Sequence, residues 1–253
     1  MKKKVIGIIG GVGPFAGLDL FKKIFNLTHA SIDQQHLDVM LHSFPGQIPD
    51  RTAFLTGMND ENPEKSLFDI VRTLEASSAD IIGIPCNTSH AAKIWDPLSG
   101  KVAKYFPHIT LVNMVEEVGA TIKEHFKEKS KIGILATTGT VVTDVYGETL
   151  KLHGMIPVYP DDEVQQDFIQ DAIYNREYGI KAFSDPATAR ARQQLIAGMD
   201  HLIGKGANAI ILGCTEIPIA IMEGAYNNIP LYDSSLILAR ALVRLVDRNK
   251  LKE

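Results

Sequence analysis

One internal repeat constrains this chain of 253 residues more than any other feature. VIGIIGGVGP at Val5–Pro14 is matched by KIGILATTGT at Lys131–Thr140, which sets Gly7 and Gly133 126 residues apart (133 − 7). A second pair of landmarks keeps almost the same offset. PCNTSH at Pro85–His90 and LGCTEIP at Leu212–Pro218 put Cys86 and Cys214 128 residues apart (214 − 86). A looser third match, ITLVNM with IPLYDS, aligns Asn113 with Asp233. Solenoid repeats are far shorter, roughly 20–50 residues, so this is a duplicated domain-sized unit. Two similar lobes related by a pseudo-two-fold axis are expected, residues 1–105 with 229–253 forming the first and 106–228 the second.

Within each half, short β-branched runs alternate with longer amphipathic segments. Strands are predicted at Val5–Ile9, Val39–His42, Ile81–Ile84, Thr110–Val112, Lys131–Leu135, Met155–Tyr159, Ala209–Leu212 and Pro230–Tyr232. Helices are predicted, for example, at Phe15–Thr28, Glu64–Ala76, Val115–Phe126, Val141–Leu152, Glu163–Tyr174, Ala187–Lys205 and Ser234–Val246, and His90 is expected in the first turn of another. The β-then-α order, with strands that are nearly continuous apolar runs, indicates parallel sheets covered by helices on both faces, the α/β class. Ligands of such folds sit at the carboxyl ends of strands. Both cysteines stand just past such an end, and in a duplicated protein whose strand ends face across a cleft they would occupy equivalent positions.

Several function classes are excluded early. The formal net charge is −4 and the Lys and Arg residues are dispersed, which argues against nucleic acid and against a polybasic membrane patch. The opening MKKKVIGIIGGVGPFAGLD resembles an export signal only until Gly10, Gly11, Gly13, Pro14 and Asp19 interrupt it. No other apolar stretch approaches a membrane span. A cytoplasmic protein with free thiols at Cys86 and Cys214 is expected. GGVGP is not a dinucleotide fingerprint, because Gly11-Val12-Gly13-Pro14-Phe15-Ala16 lacks the final glycine and puts proline where a backbone N–H would serve a pyrophosphate. The histidines, His42 and His90 included, show no metal-ligand spacing, so no metal is expected.

Free cysteine usually serves as a small buried hydrophobe, but two in register carry chemical meaning. Asn87-Thr88 and Thr215-Glu216 follow the two sulfurs and can open helices, whose free N–H groups favour thiolate and bind carboxylates. Two such groups on opposite faces of a tetrahedral carbon suit inversion of a stereocentre by proton removal and return. Arg51 and Lys181 together form a plausible clamp for a second carboxylate. Glu216 either orients a substrate amine or caps its helix.

These segments resemble the aspartate/glutamate racemase superfamily, and within it the aspartate racemase branch. The resemblance is carried by GIIGGVGP at Gly7–Pro14, QIPDRT at Gln47–Thr52, PCNTSH at Pro85–His90, EYGIK at Glu177–Lys181 and LGCTEIP at Leu212–Pro218, in family order over most of the chain. It implies a cofactor-independent racemase in which Cys86 and Cys214 are acid and base. It further implies that Asn87, Thr88 and Thr215 hold the α-carboxylate, and that Arg51 and Lys181 hold the side-chain carboxylate. Gly11, Gln47, Thr137 and Glu216 complete the candidate substrate-binding set. Val12 departs from the methionine often found in the family's glycine loop. The expected partner is a small amino acid, aspartate preferred, and a homodimer is expected. The alternatives are a broader amino-acid or hydantoin racemase, and a non-catalytic amino-acid-binding protein.

Overall fold

The structure, a computed structural model, describes residues 3–252. The chain divides into two compact units, Met1–Glu117 with Ser235–Glu253, and Val118–Ser234. The first unit contains a four-stranded sheet of β1 (Ile6–Gly10), β2 (Val39–Ser43), β3 (Ile81–Gly83) and β4 (Thr110–Val112) in the order β2-β1-β3-β4, every pair parallel. The second contains β5 (Lys131–Ala136), β6 (Ile156–Val158), β7 (Ala209–Gly213), β8 (Ala225–Tyr226) and β9 (Ile229–Asp233) in the order β6-β5-β7-β9-β8. Its pairs are parallel except β8 with β9. Without β8 the second order repeats the first strand for strand, so the duplication seen in sequence is also a duplication of topology.

The eight predicted strands are all present, with ends within one residue of those expected. The unit boundaries fall later than 105/106 and 228/229. β4 pairs with β3, and β9 pairs with β7, so each of these strands stays with the unit that precedes it. The central strands β1 and β7 are buried along their whole length, as sheets covered on both faces require.

Helices cover the sheets with faces legible in their spacing. Pro14–Asn26 opens on Pro14, whose missing N–H costs nothing in the first turn, and buries Ala16, Gly17, Leu20 and Ile24. Glu64–Ala76 buries Leu67, Ile70, Val71 and Leu74. Ala189–Gly204 is capped by Thr188, whose hydroxyl accepts from the Ala191 N–H and donates to the Tyr178 carbonyl.

Three helical segments depart from expectation. Ala92–Tyr105 is a helix despite Pro97, which has no N–H for the Lys93 carbonyl. The Asn62 side-chain amide supplies the missing donor at 3.2 Å. Val141–Leu152, expected as one helix, is two, Thr138–Val142 and Gly147–Leu152. Asp144 takes a left-handed conformation between them (φ +49°), and its carboxylate accepts from Tyr159 and Lys151. Glu163–Tyr174 is helical but widens into a π-turn at Gln165–Gln170, and the buried Gln165 amide donates to the Ala136 carbonyl at the end of β5.

The core of the first unit gathers Ile6, Ile8, Leu20 and Ile24 with Leu238, Leu242 and Val243 of the helix Ser234–Val246. The second unit's core includes Leu135, Ile169, Leu195, Ile210 and Leu212. Among the described residues no helix is long and apolar enough to cross a membrane.

Candidate active site

Each unit presents one cysteine just beyond the carboxyl end of its third strand. In the first unit β3 ends at Gly83, and Ile84-Pro85 lead to Cys86, whose extended backbone opens a 3-10 turn over Asn87–His90. The Cys86 thiol is 6 % exposed and lies 3.1 Å from the Thr88 hydroxyl. Asn87 and Thr88 are buried beside it.

His90 fixes this turn from below. Its Nε2 faces the backbone N–H of Met114 at 3.2 Å and must accept, so the ring proton resides on Nδ1, which donates to the Cys86 carbonyl at 2.8 Å. The ring stacks on Trp95 at 4.6 Å. Burial holds its pKa down at about 4, against 6.5 for the free side chain. Because the unfolded chain binds more protons between these values, the stabilisation by neutral His90 is complete above pH 6.5 and is lost as pH falls toward 4. A difference of this size is on the order of 3 kcal/mol. Urea midpoints measured from pH 7 to pH 4.5 should therefore fall more steeply for the wild type than for His90→Asn. Parallel pH curves for the two proteins would show that His90 is not buried neutral.

The glycine loop and the Arg51 segment belong to the same unit. Gly11 is buried at φ +78°, and a Cβ there would stand 2.9 Å from the backbone nitrogens of Phe44 and Pro45, so only glycine fits this crossing. Asp50 caps the helix Arg51–Leu55 by accepting from the Ala53 N–H at 2.7 Å, and that helix packs against the Asn87–His90 turn. The Arg51 guanidinium is buried and donates to the carbonyls of Val12 and Pro49. Gln47 lies exposed in the turn Pro45–Gln47.

In the second unit β7 ends at Gly213 and Cys214 follows directly, also 6 % exposed. Its thiol donates to Glu216 Oε2 at 3.0 Å. The other oxygen of the same carboxylate accepts from Lys181 Nζ at 2.6 Å, and the ammonium also sits 5.2 Å above the Tyr174 ring. Thr215 Oγ1 stands 3.4 Å from Glu216 Oε2, and both residues are buried. Thr137, past the end of β5, is buried with its hydroxyl 3.3 Å from that of Thr140.

Two expectations change here. The helices after the cysteines are short, a four-residue 3-10 turn and Ile217–Ala220, and the N-cap residues, Cys86 and Glu216, make no side-chain cap bond. The Cys214 thiol is not lowered toward thiolate. Burial first, and the adjacent Glu216 charge second, push it up, with Lys181 opposing. In this state Cys214 is a thiol.

Sequence reasoning passed over Tyr146. It is fully buried, interacts with Ser234, and its ring lies 3.2 Å from where a Cβ on Gly213 would stand. Its position in a segment read as one unbroken helix hid it; the only signal was an aromatic residue beside Gly147. Among the described residues no group of three or more His, Cys, Asp or Glu could hold a metal ion.

A model of the Asp/Glu/hydantoin racemase family matches residues 9–242. The chain belongs to the Asp/Glu/hydantoin racemase family. It is 28 % identical over 247 residues to the broad specificity amino-acid racemase RacX of Bacillus subtilis (strain 168), covering 94 % of this chain and 96 % of that one. Among solved structures it is similar to the Picrophilus torridus aspartate racemase, with TM-score 0.78, 28 % identity, and 98 % and 96 % of the two chains covered. It is also similar to an aspartate racemase homologue from Pyrococcus horikoshii OT3, with TM-score 0.71, 25 % identity, and 97 % and 99 % covered. Membership of the racemase family accounts for the paired α/β units, and makes the protein an amino-acid racemase.

Proposed function

We propose that this racemase interconverts L- and D-aspartate without pyridoxal phosphate or metal, using Cys86 and Cys214 as the two acid/base groups. The observation that carries the proposal is the repeated placement of one buried thiol, followed within two residues by a threonine hydroxyl, after the third strand of each topologically equivalent sheet. One thiolate removes the α-hydrogen; the C–H pair stays on carbon as a carbanion, and the other thiol delivers its proton to the opposite face. The hydrogen-bond donors Asn87, Thr88 and Thr215 hold the α-carboxylate and stabilise the charge that develops beside it, and Thr137 belongs to the substrate-binding set. Arg51 and Lys181 read the side-chain carboxylate, and Gly11 and Gln47 complete the substrate-binding set. The aspartate preference is supported by these two cations and by similarity to the Picrophilus enzyme.

A broader amino-acid specificity is the second reading. It is favoured by the nearly full-length likeness to the Bacillus broad specificity racemase, and by the fact that both cations already have partners within their own units. A panel of L-amino acids assayed for D-product with no added cofactor separates the two.

The origin of the returning hydrogen tests the acid/base assignment. In a two-base exchange the reprotonating thiol is not the one that took the hydrogen, and it equilibrates with water between turnovers. At low conversion in deuterated water, proton NMR after chiral separation should find deuterium at the α-carbon of the product and protium in the remaining substrate. Early product that keeps its original α-hydrogen would remove the two-thiol mechanism.

A further inference from the structure

The chain of contacts Cys214–Glu216–Lys181 has a chemistry that the two-thiol proposal does not use. Glu216 is 4 % exposed and is engaged on both oxygens, by the thiol at 3.0 Å and by the ammonium at 2.6 Å. The three groups lie in one unit, and Lys181 reaches Glu216 from a loop held by its own framework. Within that framework the Lys181 N–H donates to the Ile173 carbonyl, and Tyr178 bonds to Asp171.

A carboxylate at hydrogen-bond distance from a thiol is placed to receive its proton, while an ammonium on the other oxygen opposes that transfer. We infer that Glu216 is the proton acceptor that converts Cys214 to its thiolate, and that Lys181 governs the transfer by exchanging Glu216 for the substrate's side-chain carboxylate. The inference rests on Cys214 acting as acid and base and on Lys181 binding the side-chain carboxylate. The Sγ–H bond breaks and an Oε2–H bond forms, leaving a thiolate beside a neutral carboxylic acid. The thiolate then takes the α-hydrogen and becomes a thiol again, and Cys86 gives its proton to the opposite face. When product leaves, Lys181 returns to Glu216, which releases its proton to water, and the Cys86 thiolate regains one from water.

Electrostatics sets the direction. Lys181 lies closer to the carboxylate than to the sulfur, so its departure raises the proton affinity of Glu216 more than that of Cys214. A thiolate beside a neutral acid also escapes the repulsion it would meet beside an anion. The other ionisable groups around the pair are Tyr146, with Asp233 near it, and Tyr174 beneath Lys181. Burial holds the Tyr146 hydroxyl well above its ordinary range, so it does not compete for the proton.

Two variants test this by racemisation kinetics on the full chain. Glu216→Gln keeps the shape of the contact but cannot take a proton, so Cys214 must ionise to water. The wild type should show a kcat on aspartate that is flat from pH 6 to 8. Glu216→Gln should be about 100-fold slower at pH 7 and recover roughly tenfold per pH unit toward pH 9. Lys181→Met should lower kcat/KM on aspartate yet raise kcat on alanine several-fold, since alanine never draws Lys181 away from Glu216. A Glu216→Gln profile parallel to the wild type, or an alanine rate that Lys181→Met leaves unchanged or lowers, overturns the inference. Failure of the underlying reading looks different: full activity in Cys214→Ala, or no racemisation of any amino acid by the wild type.

Discussion

Cys86→Ala and Cys214→Ala are each expected to abolish racemisation, with kcat/KM falling by a thousandfold or more on the general acid/base scale of about 10²–10⁴ per group. Each removes one half of a proton exchange that has no substitute, because the nearest hydroxyls, Thr88 and Thr215, are far weaker acids. Both thiols are small and sit just beyond strand ends, so thermal midpoints should move by a few degrees at most. Chiral chromatography of the products, with melting curves as the folding control, checks both statements. Wild-type activity in either variant would mean that the duplicated thiol positions are a packing feature.

Arg51→Ala and Lys181→Ala should cost aspartate on the order of 2–5 kcal/mol in kcat/KM, because the side-chain carboxylate loses a charge-assisted partner in a desolvated setting. Alanine, which has no such group, should lose far less in Arg51→Ala and should not lose in Lys181→Ala. The two variants will not be equivalent. Removing Arg51 also leaves the Val12 and Pro49 carbonyls without its donors, so that variant should lose stability as well, whereas the Lys181 side chain is a quarter exposed and its loss should cost less stability. Substrate-ratio kinetics reads the effect. An equal loss on aspartate and alanine in both variants would make the two cations structural and not readers of the side chain.

Much of this was legible in the residues. The repeated Gly-x-Gly-like strands and the two cysteine segments announced the duplication, and all-apolar runs such as AIILG announced central parallel strands. What escaped reading depends on partners distant in sequence. In the helix through Pro97 the Lys93 carbonyl is satisfied by Asn62, 31 residues away, and the break at Asp144 is held by Tyr159 and Lys151. The two-residue β8 has too few side chains to carry a pattern. At the site, local spacing suggested a thiolate at a helix start. The observed state of Cys214 is set instead by burial first and by the adjacent Glu216, with Lys181, 35 residues before Glu216, opposing. Local sequence reports backbone habit well, and it reports charge pairing across loops poorly.

The first unit is discontinuous, and this orders events during synthesis. Everything the second unit needs has been made once Ser234 is added. The first unit then still lacks the segment from Ser235 onward, including Leu238, Leu242 and Val243 of its core. Leu242 fills the space against Gly83, three residues before Cys86, and Lys250 and Lys252 tie down His29 and Leu27. Domains fold as units while the ribosome adds about 5–20 residues per second. The second unit, although begun later, therefore has its whole chain before the first unit does. Cys86, made much earlier, belongs to a unit whose core is complete only when the helix Ser234–Val246 has been added.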